Sequence, residues 1–373
     1  GGTELVAAGT GRRTLIRIFG QNDRFIQTRP GWQIADAYVP VGATSFRLKD
    51  ATGLQPGDTI NIIRPSTREW IDSLGMNEFG GGLGDWRLVW HPGSYDLVWD
   101  RVIQSIDGNA VTVNAPITTA IETSAGSQSN VVKSKRGVKQ GPPHVESYTW
   151  PGRIQQVGVE NLRLESAVAA GHPKDESHSW FAITMENAAN AWVRQVTFEH
   201  FAGSAVAVYE TCKQVTVEDC LSFSPVSEVG GWRRNTFFTM GQQTLFLRCW
   251  AEHGRHDFAV GFCAAGPNAF VQCEDTLPSA DSGAIQSWAS GTLFDNVRID
   301  GGGLDLMNRG PDGEGAGWSA ANSVLWQCEA SKMACENPPG AQNWSFGCWG
   351  EFSGNGNWRE ANSSIRPVSL EQA

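Results

Sequence analysis

Along the C-terminal 220 residues, apolar and polar positions alternate over short stretches rich in β-branched and aromatic residues, and these stretches recur at uneven intervals. Eight align: "VENLRLES" (159–166), "AWVRQVTFEHF" (191–201), "KQVTVEDCLSF" (213–223), "QTLFLRCWAEH" (243–253), "NAFVQCEDT" (268–276), "GTLFDNVRIDG" (291–301), "NSVLWQCEAS" (322–331) and "NWSFGCWGE" (343–351). Anchored on one small residue, they place Cys220, Cys249, Cys273, Val297, Cys328 and Cys348 at intervals of 29, 24, 24, 31 and 20 residues. Between them runs a second series, including "SAVAVY", "NTFFTM", "DFAVGF", "AIQSW" and "LDLM". Two or more strands per repeat, joined by short bends, predict an all-β solenoid, a parallel β-helix in which equivalent side chains stack as ladders. The cysteine column then belongs inside as buried free thiols, and no Cys-x-x-Cys pair argues for zinc.

The N-terminal third breaks the pattern. "VPVGATSFRLKDATGLQPGDTINII" and "VIQSIDGNAVTVNAPI" read as strands and a hairpin about "DGN". They predict a small β-barrel-like insertion over 36–145, with first helix coils at 1–35, the main helix at 146–352 and a tail at 353–373. Inside the insertion, "TREWIDSLGMNEFGGGLGDWRLVWHPGSYDLVWD" reads as a long Trp- and Gly-rich loop. Lys133, Lys135, Arg136 and Lys139 lie in a polar stretch expected to be a solvated linker.

Composition narrows the function. The 373 residues are 40% hydrophobic, enough for a large core, and carry 43 Gly, 16 Trp and a net charge of -10. That charge argues against nucleic acid, whose phosphates need clustered Lys and Arg. No apolar run approaches the ~20 residues of a membrane-spanning helix. The chain opens without Met or a leader-like apolar segment, so its start reads as trimmed or mature.

The stretches "GWRRNTFFTMGQQTLFLRC", "GRHDFAVGFCAAGPNAFVQC", "GTLFDNV", "NRGPDGEGAGWSAANSVLWQC" and "PPGAQNW", with the coils and the insertion, resemble bacterial right-handed β-helix proteins of the pectate-lyase-like superfamily. The resemblance covers residues 1–350. It implies a secreted or periplasmic protein acting on polysaccharides as a lyase, hydrolase or epimerase. Members of this branch carry His where this chain has Ala284, Ile285 and Ala316, which implies a different chemistry or substrate here.

"GWRRN", "GRHDF" and "LMNRG" sit at comparable points of nearby coils, so stacking is expected to gather Arg233, Arg234, Arg255, His256, Asp257, Asn308 and Arg309. For β-elimination of a uronic acid, Arg234, Arg255 or Arg309 would bind the sugar carboxylate and His256 would be the base, oriented by Asp257; the acid is unassigned, with His253 or a Tyr as candidates. Arg233, Arg309, Asn308 and Gln242 are expected to bind substrate, with Trp70, Trp86, Trp288, Trp318 and Trp344 as stacking platforms for sugar rings. Hydrolysis instead needs two carboxyl groups, drawn from Glu218, Asp219, Glu252, Asp257, Asp275, Asp281, Asp305 and Glu314. A non-catalytic carbohydrate-binding solenoid is the third reading. No cofactor is assigned, calcium is kept as a candidate ion, and no residue is named as a metal ligand; "HPKDESHSW" reads as a polar bend, and the "GGG" runs lack the setting of a phosphate loop.

Overall fold

The computed structural model describes residues 2–81, 88–123 and 141–371. Trp86 and the basic run Lys133, Lys135, Arg136 and Lys139 lie outside them. The chain winds into a right-handed parallel β-helix with three sheet faces, interrupted once by an antiparallel insertion. A coil runs through the first, second and third faces in turn, as in Thr197–Glu199, Ser204–Val208 and Lys213–Glu218. Each strand pairs in parallel with its counterpart one coil on, so that Val217, Phe246, Phe270 and Phe294 fall in register. The third face carries nine such positions among the described residues, from Ile154–Glu160 to Asn357–Arg359.

One residue turns the corner from the third face to the first. Gln195, Asp219, Arg248, Gln272, Asn296 and Gln327 have φ between +48° and +55°. This left-handed conformation reverses the side-chain alternation and points the next residue inward. That residue is Val196, Cys220, Cys249, Cys273, Val297 or Cys328, each buried. All eight cysteines are free thiols. Within the column, S–H groups of Cys220, Cys249, Cys273 and Cys328 donate to carbonyls of the preceding coil, Cys249 to Val217 at 3.5 Å and Cys273 to Phe246 at 3.5 Å, and burial pushes the Cys249 thiol up, so the column is packing. Deeper inside, Phe246, Phe270 and Phe294 stack face to face with centroids 4.8 Å and 5.1 Å apart.

The insertion leaves after Thr14–Phe19 and returns before Ile154–Glu160, its two ends held together by Gln21 N–H donating to the Gly152 carbonyl at 2.8 Å. Its six-stranded sheet includes Phe25–Gln33, antiparallel to His144–Thr149, so the expected first segment 1–35 is divided between helix and insertion. At the other end, Asn357–Arg359 adds a strand to the third face, and Ser369, Leu370 and Glu371 hydrogen-bond the buried Asp295 carboxylate. The segment expected as a tail therefore continues the helix and folds back on it.

The Trp-rich stretch holds a short helix, Arg68–Ser73, whose first turn is capped by the Thr67 hydroxyl accepting from Trp70 N–H at 3.2 Å. Trp70, Trp90 and Trp288 pack together with Trp32 and Trp99 in a second core between the insertion and the third face. A buried cation locks the joint. Arg101 is fully buried and donates to the carbonyls of Ala115, Pro116, Asp100 and Gly266, and to Gln242 Oε1 at 3.1 Å.

Candidate functional site

The second face carries a cleft of about 870 Å³ across successive coils. The positions that open it come just before and just after the second-face strands, where loops of unequal length leave the helix. Asn235 precedes Phe237–Thr239, His256 precedes Phe258–Val260, Asp281 precedes Ser282–Ala284, and Arg309 follows the strand Arg298–Leu306. Trp232 and Phe262 stack at 5.3 Å and 12° to form an aromatic wall, with Trp232 51% exposed. The turn holding Asp312 and Glu314, together with Tyr95 of the insertion, completes the lining. The insertion braces that turn, since Trp90 Nε1 donates to the Gly315 carbonyl at 3.2 Å. A Cβ on Gly317 would come within 2.3 Å of Met76 Sδ, so only glycine permits this approach at its φ of +58°.

At the floor, His256 is nearly buried and its Nδ1 is paired with the Asp281 carbonyl. A carbonyl only accepts, so Nδ1 carries the proton and Nε2 keeps its lone pair. Nε2 has no hydrogen-bond partner among the described residues. Burial pushes the imidazole down to about 4, against the pull of Asp281 and helped by Arg255 and Arg309, so the ring is neutral at neutral pH. Arg309 donates from Nε to the Ala284 carbonyl at 2.7 Å and pairs through Nη2 with Asp281 Oδ2. This contact holds the Asp281 carboxyl low despite its burial. Arg255 uses Nη1 on the Gly231 carbonyl at 2.9 Å, leaving Nε and Nη2. The site thus sets a neutral imidazole between two guanidiniums.

A second chemical feature lies beside it. Leu304 and Leu306 are buried in the core, so Asp305 between them faces outward, and it lies near Asp281 across Gly303, whose Cβ would meet both residues at about 3.3 Å. Burial, then the Asp281 charge, push Asp305 up to about 6. Two neighbouring carboxyls therefore differ in protonation near neutrality, one ionised by Arg309 and one held partly protonated.

Of the residues singled out in the sequence, Arg255, His256, Asp281, Arg309 and Glu314 line the cleft. Asp257 does not reach it. It is fully buried below, accepts from the Thr236 hydroxyl, has an unpartnered Oδ2, and is pushed up to about 7 by burial, so it does not orient the imidazole. Arg234 is consumed by the Ser227 carbonyl at 2.7 Å, the Ser227 hydroxyl and the His253 carbonyl, and fastens a loop. Arg233 pairs with Glu176 and lies over Trp180, while Asn308 closes its own turn by accepting from Gly310 N–H at 2.9 Å.

Gln242 is the docking pin for Arg101, not a ligand of substrate. Trp288 is 1% exposed under the insertion, Trp70 packs on its edge, and Trp318 donates to the Leu74 carbonyl at 3.1 Å in the same core. Trp344 sits on the third face, away from the cleft. These aromatics are covered because the insertion needs an apolar seat. What the sequence reading passed over is Trp232, Phe262, Tyr95, Asn235 and Asp312. Trp232 left a signal, an unexplained Trp between glycines and the charged pair in "GGWRRN". Asn235 has a buried Oδ1 without a partner on the cleft wall. Among the described residues, no three His, Cys, Asp or Glu side chains gather as metal ligands, and no helix is long and apolar enough to cross a membrane.

Comparison with known proteins finds alignments to solved structures at low identity and low TM-score. No family model matches the chain, and no curated protein matches it. Among solved structures, the tailspike protein gp49 of Pseudomonas phage LKA1 aligns over 94% of this chain and 63% of its own, at 11% identity and a TM-score of 0.42. The gp54 tailspike of Acinetobacter baumannii bacteriophage AP22, determined with an A. baumannii capsular saccharide, aligns over 96% of this chain and 67% of its own, at 8% identity and 0.34. The catalytic domain of a GH87 α-1,3-glucanase in complex with nigerose aligns over 94% and 88%, at 10% identity and 0.27. The chain spans under two thirds of the length of the first of these structures.

Proposed function

We propose that this protein cleaves an anionic polysaccharide in the second-face cleft, by β-elimination at a uronic acid. The observation that carries the reading is the neutral His256, its tautomer fixed by the Asp281 carbonyl and its Nε2 lone pair unpartnered between Arg255 and Arg309. Elimination asks for three things: a cation on the sugar carboxylate, a base for the proton on the adjoining carbon, and an acid for the departing glycosidic oxygen. The free N–H groups of Arg255 and Arg309 supply the first and His256 Nε2 the second. Tyr95, the tyrosine on the cleft wall, is our assignment for the third. A bound carboxylate adds negative charge beside the ring and raises its proton affinity, so the base strengthens when substrate arrives. Trp232 and Phe262 offer the flat apolar surface on which a pyranose stacks.

The Asp281 and Asp305 pair favours a second reading, hydrolysis, with Asp305 as acid and Asp281 as base or nucleophile. Incubation with uronate, sulfated and neutral polysaccharides separates the two. A lyase product shows the ultraviolet absorbance of a carbon–carbon double bond conjugated to a carboxylate, whereas hydrolysis gives new reducing ends without it. Elimination predicts loss of cleavage in His256→Ala and retention in Asp305→Asn; the reverse pattern moves the assignment to the carboxyl pair. Binding without either product sinks both and leaves a carbohydrate-binding solenoid. Export to the periplasm or medium belongs to the same proposal, since polymeric substrates are met there.

A further inference from the structure

The third face carries another groove, of about 510 Å³, beside the positions Lys213 and Gln242 where the insertion docks. Its edge is a column of amides. The pairs Gln155 with Ala189, Ala189 with Lys213 and Lys213 with Gln242 set Gln156, Asn190, Gln214 and Gln243 one above another. All four have left-handed φ, at +56°, +50°, +56° and +54°, a conformation that favours glycine and that glutamine rarely adopts. Among the described residues none of the four side chains has a hydrogen-bond partner, and Gln243 Oε1 is buried without one. The column ends at Pro267, beside the Gly266 carbonyl where Arg101 docks the insertion.

Trp192 forms the floor. A Cβ on Gly158, its neighbour one coil before, would come within 2.2 Å of the indole, so the ring lies against bare backbone. Its Nε1 donates to Glu160, which fixes the ring. The lining guanidinium of Arg194 is taken up within the protein by two carboxylates, Glu218 and Glu160. What the groove presents is therefore a fixed aromatic face and a row of open amide donors and acceptors spaced about 4.8 Å apart by the coil rise, with its lining guanidinium already paired and not free for an acidic sugar.

We propose that this groove is a second carbohydrate site, binding uncharged pyranose units along the helix axis. An amide places a donor beside an acceptor, which matches neighbouring hydroxyls, and an indole face stacks on the C–H face of a ring. The second-face cleft lines up guanidiniums; the third-face groove does not, so the two sites take chemically different segments. Binding here does not depend on the cleavage reading. If both hold, the groove keeps the cleft on the polymer by raising its local concentration.

The experiment is native gel electrophoresis through dextran, mannan or xylan, with alginate as the charged comparison. The parent is expected to be retarded by at least one neutral polymer. Trp192→Ala is expected to weaken that retardation about tenfold, a loss of about 1.4 kcal/mol. Gln156→Ala combined with Gln214→Ala does the same from two exposed positions. His256→Ala leaves it unchanged. No retardation by any neutral polymer, retardation by alginate alone, or full retardation in both the Trp192 and the double glutamine variants overturns the proposal. Loss or retention of cleavage in His256→Ala is scored separately and tests only the cleft.

Discussion

Asp275 is a carboxyl enclosed by the solenoid, and replacing it by asparagine should stabilise the protein at neutral pH. The side chain is 0% exposed, Oδ1 accepts from Asp300 N–H at 3.1 Å, and Oδ2 has no partner. Burial first, and the charge of Asp257 second, push it up to about 9 from an ordinary 3.8. An acid with a raised folded pKa contributes its full stability below the unfolded value and loses it as pH climbs to the folded one. For Asp275 that window runs from about 4 to about 9, at about 1.4 kcal/mol per pH unit. By pH 7 the loss reaches about 4 kcal/mol.

The asparagine side chain of Asp275→Asn would not titrate, would keep the acceptor for Asp300, and would place an amide where Oδ2 stands alone, at a cost of about 1–3 kcal/mol. The expected net gain of Asp275→Asn is thus about 1–3 kcal/mol at pH 7, turning into a loss of about 1–3 kcal/mol near pH 4, where only the cost of the amide is left. Urea denaturation of parent and variant at several pH values measures it. The quantity that matters is the difference between the two, because it cancels His256, whose depressed pKa works in the opposite direction between about 4 and 6.5. A difference that stays flat from pH 4 to 8, or a variant less stable throughout, refutes the protonated Asp275.

Arg101→Met removes the buried cation that joins insertion to helix and strands five acceptors, so we expect a loss of about 3–5 kcal/mol and earlier cutting of the insertion in limited proteolysis. The thiols of Cys220, Cys249, Cys273, Cys328 and Cys348 should stay silent to a disulfide reagent in the native protein and react after denaturation, since each is at most 1% exposed. Cleavage through His256 requires the unprotonated ring, so activity should hold through neutral pH and fall as pH drops through about 4; dependence on a protonated Asp305 would instead make it fall above about 6. Phe270→Ala, in the middle of the phenylalanine stack, should cost about 3–5 kcal/mol by thermal or denaturant unfolding.

The coil repeat is legible in the sequence because each turn of the helix offers the same slot. Cys220, Cys249, Cys273 and Cys328 occupy a corner after a left-handed residue, and the same steric demand selects a small inward side chain every time. Arg255, His256 and Arg309 were legible as edge residues before or after a strand. Partner choice was not. Arg233 and Arg234 have the same local setting as Arg255, yet Glu176, 57 residues away, takes one and the Ser227 loop takes the other. Trp288 and Trp318 read as platforms because nothing local shows that Leu74 and Thr119 of the insertion lie over them. The wall of the cleft was hidden for the reason that its residues, Tyr95, Trp232 and Asp312, come from loops with no common length.

The insertion also changes how the molecule resists force and fraying. A plain solenoid is a one-dimensional stack in which each coil touches only its neighbours and the ends can unzip turn by turn. Here the chain that emerges from the first coil is fastened far along the stack, to Gln242, Gly266, Ser290 and Asn322. The N-terminal coil cannot peel away without pulling on coils near the middle, and those coils cannot separate without breaking the same clasp. Melting should therefore proceed as one event across the clasped coils, and the coils beyond residue 326, outside the clasp, should be the first to show hydrogen exchange.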